Sequence, residues 1–374
     1  MNFDFSDDQK MLKEQVRKFL ADKSPYKTTR RVLESDEAYA AEVWKGLVEL
    51  GVTAATIPEE YGGAGMGPLE LCVVAEELGR ACAAVPFASS VYLATEALKL
   101  FASEAQKKAW LPRLASGEAI GTIATAEGPQ APTPRSVRVS FGGGKVIGQK
   151  VPVADGTAAT FAIVLVNTGG SGDRALSMAI VDLTGAGVTR ELVNTVDPAR
   201  KHARLAFSGA AGELLGVEGA GWSQLETLYD VAAVPMAFEQ IGGAEAAMWM
   251  ARDYALQRQA FGRQIGSYQA IKHKIADMYV KLELARSNAY YGAMMLAEGG
   301  ADLPIAAAAA RIAATEAYDF AAKENIQTHG GIGFTWEADT QFHYRRSRLL
   351  SLAIGGPLAW KDKLVTRLER KNAA

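Results

Sequence analysis

The sequence contains little cysteine, little histidine and no long apolar run. Its 374 residues include only Cys72, Cys82 and four histidines. Two cysteines cannot build a disulfide scaffold, so we expect a reducing compartment and a cytoplasmic location. The histidines lack metal-ligand spacing, which predicts that no metal is bound. No run of about eighteen apolar residues and no signal-peptide pattern occurs, so we expect neither a membrane span nor a leader.

An excess of charge of either sign is also missing. The chain has 40 basic and 42 acidic residues, a net charge of −2. Nucleic-acid-binding proteins usually carry a basic patch or extension, so the balance argues against that class. Hydrophobic residues make up 49% and charged residues 22%, the usual composition of a globular protein. The length is sufficient for two or three domains.

The first 118 residues have the periodicity of helices. Ser6 and Gln9 form a capping-box pattern before an apolar stripe at helical spacing, and further helices are predicted at 44–50 and 69–84. The stripe consists of Met11, Leu12, Val16, Phe19 and Leu20. We therefore predict an N-terminal all-α domain over residues 1–118.

The period changes in the middle of the chain and changes again near residue 218. Short β-branched runs predict strands in a small β domain over residues 119–217. Helical patterns predict a C-terminal four-helix bundle over residues 218–374. The predicted strands are 120–125, 136–141, 161–166, 176–183 and 204–207, and the predicted bundle helices are 222–256, 266–297, 303–328 and 339–370. The fold class is α+β.

Three blocks of residues, in order along the chain, resemble acyl-CoA dehydrogenases. The first block combines Trp44 and residues 57–63 with Glu-Glu-Leu-Gly-Arg at 76–80. The second is Arg-Gln-Ala-Phe-Gly-Arg-Gln-Ile at 258–265, continued by 269–271 and 274–278. The third is Gln-Thr-His-Gly-Gly-Ile-Gly-Phe at 327–334, followed by Glu337. The resemblance implies the α–β–α fold of that family and FAD as the cofactor.

The resemblance also implies a shared cofactor site. Its two C-terminal signatures bind the dinucleotide end of an FAD whose ring lies in the neighbouring subunit, so a hetero- or homotetramer, a dimer of dimers, is implied. A guanidinium and close backbone approach suit a pyrophosphate. The cofactor-binding residues are predicted to be Arg258, Phe261, Gln269, Gln327, Gly330 and Gly331. An acyl-CoA substrate and electron-transfer flavoprotein, or a similar acceptor, are implied as partners.

The segments that form the flavin-ring pocket in this family depart from its pattern. Residues 123–128 read Ile-Ala-Thr-Ala-Glu-Gly, and no Gly-Ser-Asp follows them. After Lys150, the expected ring-stacking aromatic is Pro152 and the expected hydroxyl residue is Ala154. Alanine cannot donate a hydrogen bond to the flavin. The chain therefore lacks parts of a ring pocket of its own.

The catalytic base expected from the family is also missing. Abstraction of an α-proton from a thioester needs a carboxylate with a raised pKa. The usual segment falls on residues 353–356 and the other usual position falls on Ala232, and neither carries a carboxylate. Glu239 lies two helical turns after Ala232 and is the remaining candidate base. Its alternative role is an ion pair with an arginine or lysine of the bundle.

Three hypotheses follow. In the first, the chain is an acyl-CoA dehydrogenase subunit that completes the FAD site of a larger partner, as in bacterial relatives acting on steroid side-chain, dicarboxylic or aromatic-derived acyl-CoA thioesters. In the second, it is a self-sufficient homotetramer that uses Glu239 as base. In the third, it is a relative without a base, such as a desulfinase-like flavoprotein or one of the alkylation-response type.

Overall fold

The computed structural model describes residues 5–169 and 172–373, which form two compact units. Unit 1 combines Met1–Arg30, Pro68–Ala83 and Ala233–Ala374, and unit 2 combines Arg31–Gly67 and Ala84–Ala232. The helices of the described residues are α1 (Asp7–Lys23), α2 (Tyr26–Glu34), α3 (Ala41–Glu49), α4 (Pro68–Arg80), α5 (Glu96–Phe101), α6 (Glu104–Ala115), α7 (Gly221–Gln257), α8 (Gln269–Glu298), α9 (Leu303–His329), α10 (Thr340–Leu352) and α11 (Pro357–Ala373). In this part of the chain no helix is long and apolar enough to cross a membrane.

The strands all follow α6, and the last two form a hairpin after α7. They are β1 (Gly121–Ala124), β2 (Ser140–Gly142), β3 (Lys145–Ala154), β4 (Phe161–Asn167), β5 (Leu176–Asp182), β6 (Val188–Val193), β7 (His202–Leu215), β8 (Gln259–Ala260) and β9 (Arg263–Gln264). A helical N-terminal part, a middle β domain and a helical C-terminal part are thus present in the predicted order.

The start of α1 confirms the predicted capping box. The Ser6 hydroxyl accepts a hydrogen bond from the Gln9 amide at 3.2 Å, and the Ser6 amide donates to the Gln9 side-chain oxygen at 2.9 Å. This reciprocal pair satisfies the backbone amides of Ser6 and Gln9 at the helix start. Within the predicted apolar stripe, Val16 and Leu20 are buried, whereas Met11 is 71% exposed.

In unit 1, helices α4 and α7 approach each other backbone to backbone. A Cβ atom at Gly79 of α4 would overlap the carbonyl of Glu239 in α7, and one at Gly242 would overlap the carbonyl of Glu76 in α4. Each helix therefore places a glycine against the main chain of the other. Glycine is required at both positions because no side-chain atom fits there.

The carboxylates of Glu76 and Glu77 form a network of ion pairs at the same crossing. Glu76 is fully buried and accepts from Lys13 of α1 at 2.5 Å and from Arg286 of α8 at 2.6 Å. Glu77 accepts from Arg17 at 2.8 Å and Arg80 at 3.0 Å. The cations hold the pKa of Glu76 below its usual range although burial opposes this. Such pairs favour one packing register of the helices, because the loss of a partner would leave a buried charge unpaired.

In unit 2, five of the strands pair around a closed ring. Strand β4 pairs with β5, β5 with β7, β7 with β3 and β3 with β2, and β2 returns to β4 through Ser140 and Asn167. Strands β1 and β6 are added to β4 and β7. Closure leaves few free strand edges, and the interior is filled by small apolar side chains such as those of Val146 and Val164.

Two strands of the middle β domain are absent from the sequence prediction. Strand β3 contains Gly148 and Pro152, and most of its side chains are exposed or half-buried. Strand β6 is charged and has no fully buried residue. Both therefore lack the apolar alternation that identifies a strand. Strand β7 extends well beyond the predicted 204–207 in both directions.

The prediction of one last helix over 339–370 was wrong, so the C-terminal part has five helices rather than four. Helix α10 ends at Leu352 and α11 begins at Pro357. Between them, Ile354 has φ +53° and Gly355 has φ +110°. A proline at the first helical position and a glycine before it separate the two helices.

We predict that replacing Gly79 or Gly242 by alanine destabilises the protein. Alanine normally favours a helix interior over glycine by about 0.5–1 kcal/mol, so the sign of the effect reports the close approach. Overlap with backbone should instead cost about 1–3 kcal/mol or more. Thermal denaturation should give a melting temperature several degrees lower for Gly79→Ala and Gly242→Ala.

The matched control is Gly292→Ala in α8. A Cβ there would meet only ordinary van der Waals neighbours at 3.4–3.6 Å. Its melting temperature should stay unchanged or rise. Equal melting temperatures for all three variants would contradict the tight crossing.

Candidate functional site

The end of α7 leads into a two-residue hairpin with an aromatic side chain at its tip. Strands β8 and β9 pair through Gln259–Gln264 and Ala260–Arg263, and the turn residues Phe261 and Gly262 have φ +53° and +80°. Both central residues of a type I′ turn need positive φ. A phenylalanine rarely adopts this conformation, and Phe261 is 96% exposed.

Polar groups beside this hairpin have no partner in the described chain. The side chains of Arg258 and Gln269 are exposed and make no hydrogen bond or ion pair with any described residue. By contrast, the Arg263 guanidinium lies 3.9 Å from the Tyr268 ring centre, and the Tyr268 hydroxyl donates to the Ala260 carbonyl at 3.0 Å. The contacts of Tyr268 thus stabilise the hairpin, while the Arg258 guanidinium remains available to bind an anion.

The end of α9 forms a second open turn. A 3-10 helix over Gly330–Phe334 follows His329, and Gly330 has φ +64°. A Cβ added to Gly330 or Gly331 would meet nothing within 4 Å. Gln327 is exposed, and its side-chain amide makes no hydrogen bond with the described residues. The turn therefore leaves room for a ligand to approach the main chain closely.

An aromatic pair joins the two segments. The Tyr254 ring in α7 stacks on the His329 ring at 4.1 Å and 25°. The Tyr254 backbone carbonyl accepts a hydrogen bond from the Arg258 backbone amide at 2.8 Å, and His329 directly precedes Gly330. Tyr254 is not among the residues predicted from the sequence, and its position one helical turn before Arg258 is the signal that could have indicated it. The six predicted binding residues consequently lie around the ends of α7 and α9 and the start of α8.

These groups suit the dinucleotide end of FAD. A free guanidinium matches a pyrophosphate, open glycines permit close approach, and an exposed ring and two free amides can contact the nucleotide or flavin. The binding role of each residue remains a prediction.

The predicted base Glu239 lies in the interior of unit 1. It is 3% exposed, and its carboxylate lies 3.9 Å from the Arg346 guanidinium in α10. Arg346 is itself buried and donates to the Ala83 carbonyl at 3.0 Å. An arginine of the bundle is therefore beside Glu239, which is the arrangement that the alternative role requires. Its catalytic role stays a prediction.

The turn over residues 353–356 is held by another buried arginine. Arg311 in α9 donates to the carbonyls of Leu350 and Ala353, the latter at 3.0 Å. These bonds satisfy carbonyls at the end of α10. The side chain at the centre of the turn is Ile354, which has no proton-accepting group. Ala232, the other expected base position, is fully buried.

In unit 2, a buried ion pair ties β3 to the segment after β1. The Lys150 ammonium donates to Glu127 at 2.7 Å and to the Thr125 carbonyl at 3.1 Å. Glu127 also accepts from the amides of Arg138 at 2.8 Å and Val139 at 3.1 Å. Burial lowers the pKa of Lys150 to about 8, although Glu127 opposes this shift. The segment 125–139 is thereby fixed.

The positions next to this pair do not suit a flavin ring. Pro152 is exposed and Ala154 is half-buried, and neither side chain can donate a hydrogen bond. Asp155 follows and is occupied by a bidentate pair with Arg200, at 3.2 and 2.7 Å, and by the Ser89 hydroxyl. The residues predicted to bind the dinucleotide are thus present in this chain, whereas Pro152 and Ala154 provide no hydroxyl for a flavin ring.

Comparison with known protein families matches two segments of the chain. Residues 6–118 match the acyl-CoA dehydrogenase N-terminal domain, and residues 219–357 match the acyl-CoA dehydrogenase C-terminal domain. Strands β1 to β7 lie between these segments.

Individual proteins are similar over almost the whole chain. Acyl-CoA dehydrogenase IpdE2 of Mycobacterium tuberculosis is 33% identical over 342 residues, 91% of each chain. Butyryl-CoA dehydrogenase of Megasphaera elsdenii superposes with a TM-score of 0.90 at 26% identity, covering 98% of this chain and 100% of that one. A chain of the ChsE4-ChsE5 complex of Mycobacterium tuberculosis gives a TM-score of 0.86 at 26% identity, covering 100% and 99%.

We predict a pH-dependent contribution of Lys150 to stability. Its pKa of about 8 lies below the value of 10.5 in an unfolded chain, so between these pH values the unfolded state binds more protons. Stability relative to Lys150→Met should therefore rise with pH in that window, by up to about 1.4 kcal/mol per pH unit. Melting temperatures of both proteins at pH 7.5 and pH 10 measure this.

Lys145→Met is the control, because Lys145 lies on the same strand and is exposed. Its difference from wild type should not change with pH. A difference between wild type and Lys150→Met that is independent of pH would contradict the prediction.

Proposed function

The chain belongs to the acyl-CoA dehydrogenase family, and on that premise we propose that it serves in FAD-dependent α,β-desaturation of an acyl-CoA thioester as the subunit that completes a partner's FAD site. The observation that carries this proposal is the set of exposed, unpaired groups at Arg258, Gln269 and Gln327 beside the open turn at Gly330. Members of the family are FAD-dependent flavoproteins, and bound FAD supplies the acceptor for the hydride that leaves the thioester's β-carbon.

The residues of this chain act on the dinucleotide end. The Arg258 guanidinium neutralises the pyrophosphate, and the glycines at 330 and 331 allow the main chain to approach it. The amides of Gln269 and Gln327 orient polar edges of the cofactor, and the Phe261 ring excludes water from one side. None of these residues moves a proton, so their contribution is to binding and orientation.

A partner has to supply the remaining functions. This chain has Pro152 and Ala154 where a ring-stacking aromatic and a hydroxyl are needed, and it has Ile354 and Ala232 at the usual positions of the base. The ChsE4-ChsE5 structure, to which the chain is similar, is a complex of two differently named chains. We therefore infer a heteromeric assembly in which a larger subunit holds the flavin ring and the α-proton base.

Other parts of the proposal follow from the family. We infer an electron-transfer flavoprotein or similar acceptor, a dimer-of-dimers assembly and a cytoplasmic location, which the two free cysteines favour. The domain limits that we propose are 1–118, 119–217 and 218–374. A hydride-acceptor assay with acyl-CoA substrates separates this activity from a desulfinase-like one.

We predict that Arg258→Ala weakens FAD binding by about tenfold or more without lowering the melting temperature of the protein. The reason is the loss of a charged donor that has no partner within this chain. Flavin fluorescence titration of the assembly in which the chain copurifies measures the affinity. Arg252→Ala is the matched control, because Arg252 is exposed on the same helix and pairs with Asp253. Equal affinities for both variants would reject the proposed surface.

We predict that Glu239→Gln retains full dehydrogenase activity when the catalytic partner is present. The amide keeps the shape of a side chain whose carboxylate is beside Arg346, and the base belongs to the partner. Steady-state turnover and melting temperature are measured together. A loss of turnover of a hundredfold or more, in a variant that still melts like a folded protein, would instead support Glu239 as the base of a self-sufficient enzyme.

A further inference from the structure

The loop after the Gly330–Phe334 turn is held by Arg30 of α2. One guanidinium nitrogen, Nη1, donates to the Trp336 carbonyl at 2.6 Å. The other, Nη2, donates to the Glu337 carbonyl at 3.2 Å and to Oδ1 of Asp339 at 2.9 Å. A single cation thus binds three acceptors that follow the turn directly.

The position of Arg30 is itself fixed by neighbouring aromatics. Tyr26 lies four residues earlier, on the same face of α2. Its ring stacks on Phe342 at 5.8 Å and 9°, and its hydroxyl lies 2.6 Å from Nε2 of His343. The Arg30 guanidinium carbon lies 5.0 Å from the centre of the same Phe342 ring. A lysine could not reproduce this planar, multiple contact.

The turn is also connected to the start of α10 from inside. The buried Thr340 hydroxyl donates to the Gly333 carbonyl at 2.9 Å. Gly333 packs closely on α9, because a Cβ there would overlap the Ile326 carbonyl. Between Gly333 and Thr340 the chain is therefore held at both ends and by Arg30 in the middle.

The groups that Arg30 contacts lie at the protein surface, so its effect on the loop can be distinguished from an effect on the stability of the core. The Arg30 side chain is 22% exposed, and Phe334 and Trp336 are 75% and 47% exposed. The acceptors of Arg30 belong to a surface loop and not to the core. Removal of the guanidinium should therefore loosen this loop far more than the helices of unit 1.

We propose that Arg30 is a positioning residue for FAD binding: it holds the loop 336–339, and through it the Gly330–Phe334 turn, in the conformation that receives the cofactor. Arg30 does not belong to the predicted cofactor-contacting set, and its two Nη groups donate to Trp336, Glu337 and Asp339 of the loop. The inference rests on the proposed function, because it presumes that the turn at Gly330 contacts FAD.

The test compares Arg30→Ala, Arg30→Lys and wild type in the assembly in which the chain copurifies, with FAD itself as the probe. Arg30→Ala should bind FAD about tenfold more weakly, because the loosened loop would adopt the binding conformation only part of the time. Arg30→Lys should recover only part of that loss. Hydrogen exchange at residues 330–339 should accelerate in Arg30→Ala, while exchange in α8 and α9 and the melting temperature stay unchanged.

Arg31→Ala is the matched control. Arg31 is the next residue of α2, and its exposed ion pairs are with Glu37 and Glu42. It should bind FAD as wild type does. Equal FAD affinity for Arg30→Ala and wild type overturns the inference, as does a loss of affinity that occurs with faster exchange throughout α8 and α9. If wild type does not bind FAD, the proposed function fails before the role of Arg30 is reached.

Discussion

The close crossing of α4 and α7 is the constraint on which the helical unit depends. Gly79 and Gly242 each lie against the main chain of the other helix, so the two helices have one permitted register. That register places Glu76 and Glu77 among the cations of α1, α4 and α8. The helix that carries Gly242 ends at the hairpin with Arg258 and Phe261. This glycine contact thereby fixes the direction in which the proposed cofactor-binding surface is presented.

Arginines fix the turns between the last helices. Arg311 is buried and binds carbonyls at the end of α10, and Arg30 binds the loop before α10. Arg258, in contrast, has no partner within the described chain. The charges described above that stabilise the fold are paired, whereas Arg258 is exposed after α7 and the open glycines Gly330 and Gly331 lie at the end of α9. The contrast supports a surface that is completed by a ligand rather than by the chain itself.

Much of the fold was predictable from local pattern. The Ser6 capping box and the α–β–α order follow from residue chemistry and periodicity. The exposed strand β6 and the break at Ile354 were missed, because a charged edge strand lacks alternation and a helical pattern resumes after the break. The six predicted cofactor-binding residues were identified from the resemblance to the family. The contacts that position them were not. Tyr254, His329 and Arg30 act through a stacked ring and through hydrogen bonds between segments far apart in sequence, which no single segment reveals.

Native mass and flavin content of the purified chain test the central claim most directly. The chain is expressed alone and then together with the product of the neighbouring gene. We predict that the chain alone carries no stoichiometric flavin, and that the joint assembly contains one FAD for each pair of unlike chains. A yellow homotetramer of this chain with about one FAD per chain would contradict the account, since its ring pocket and base would then have to be its own.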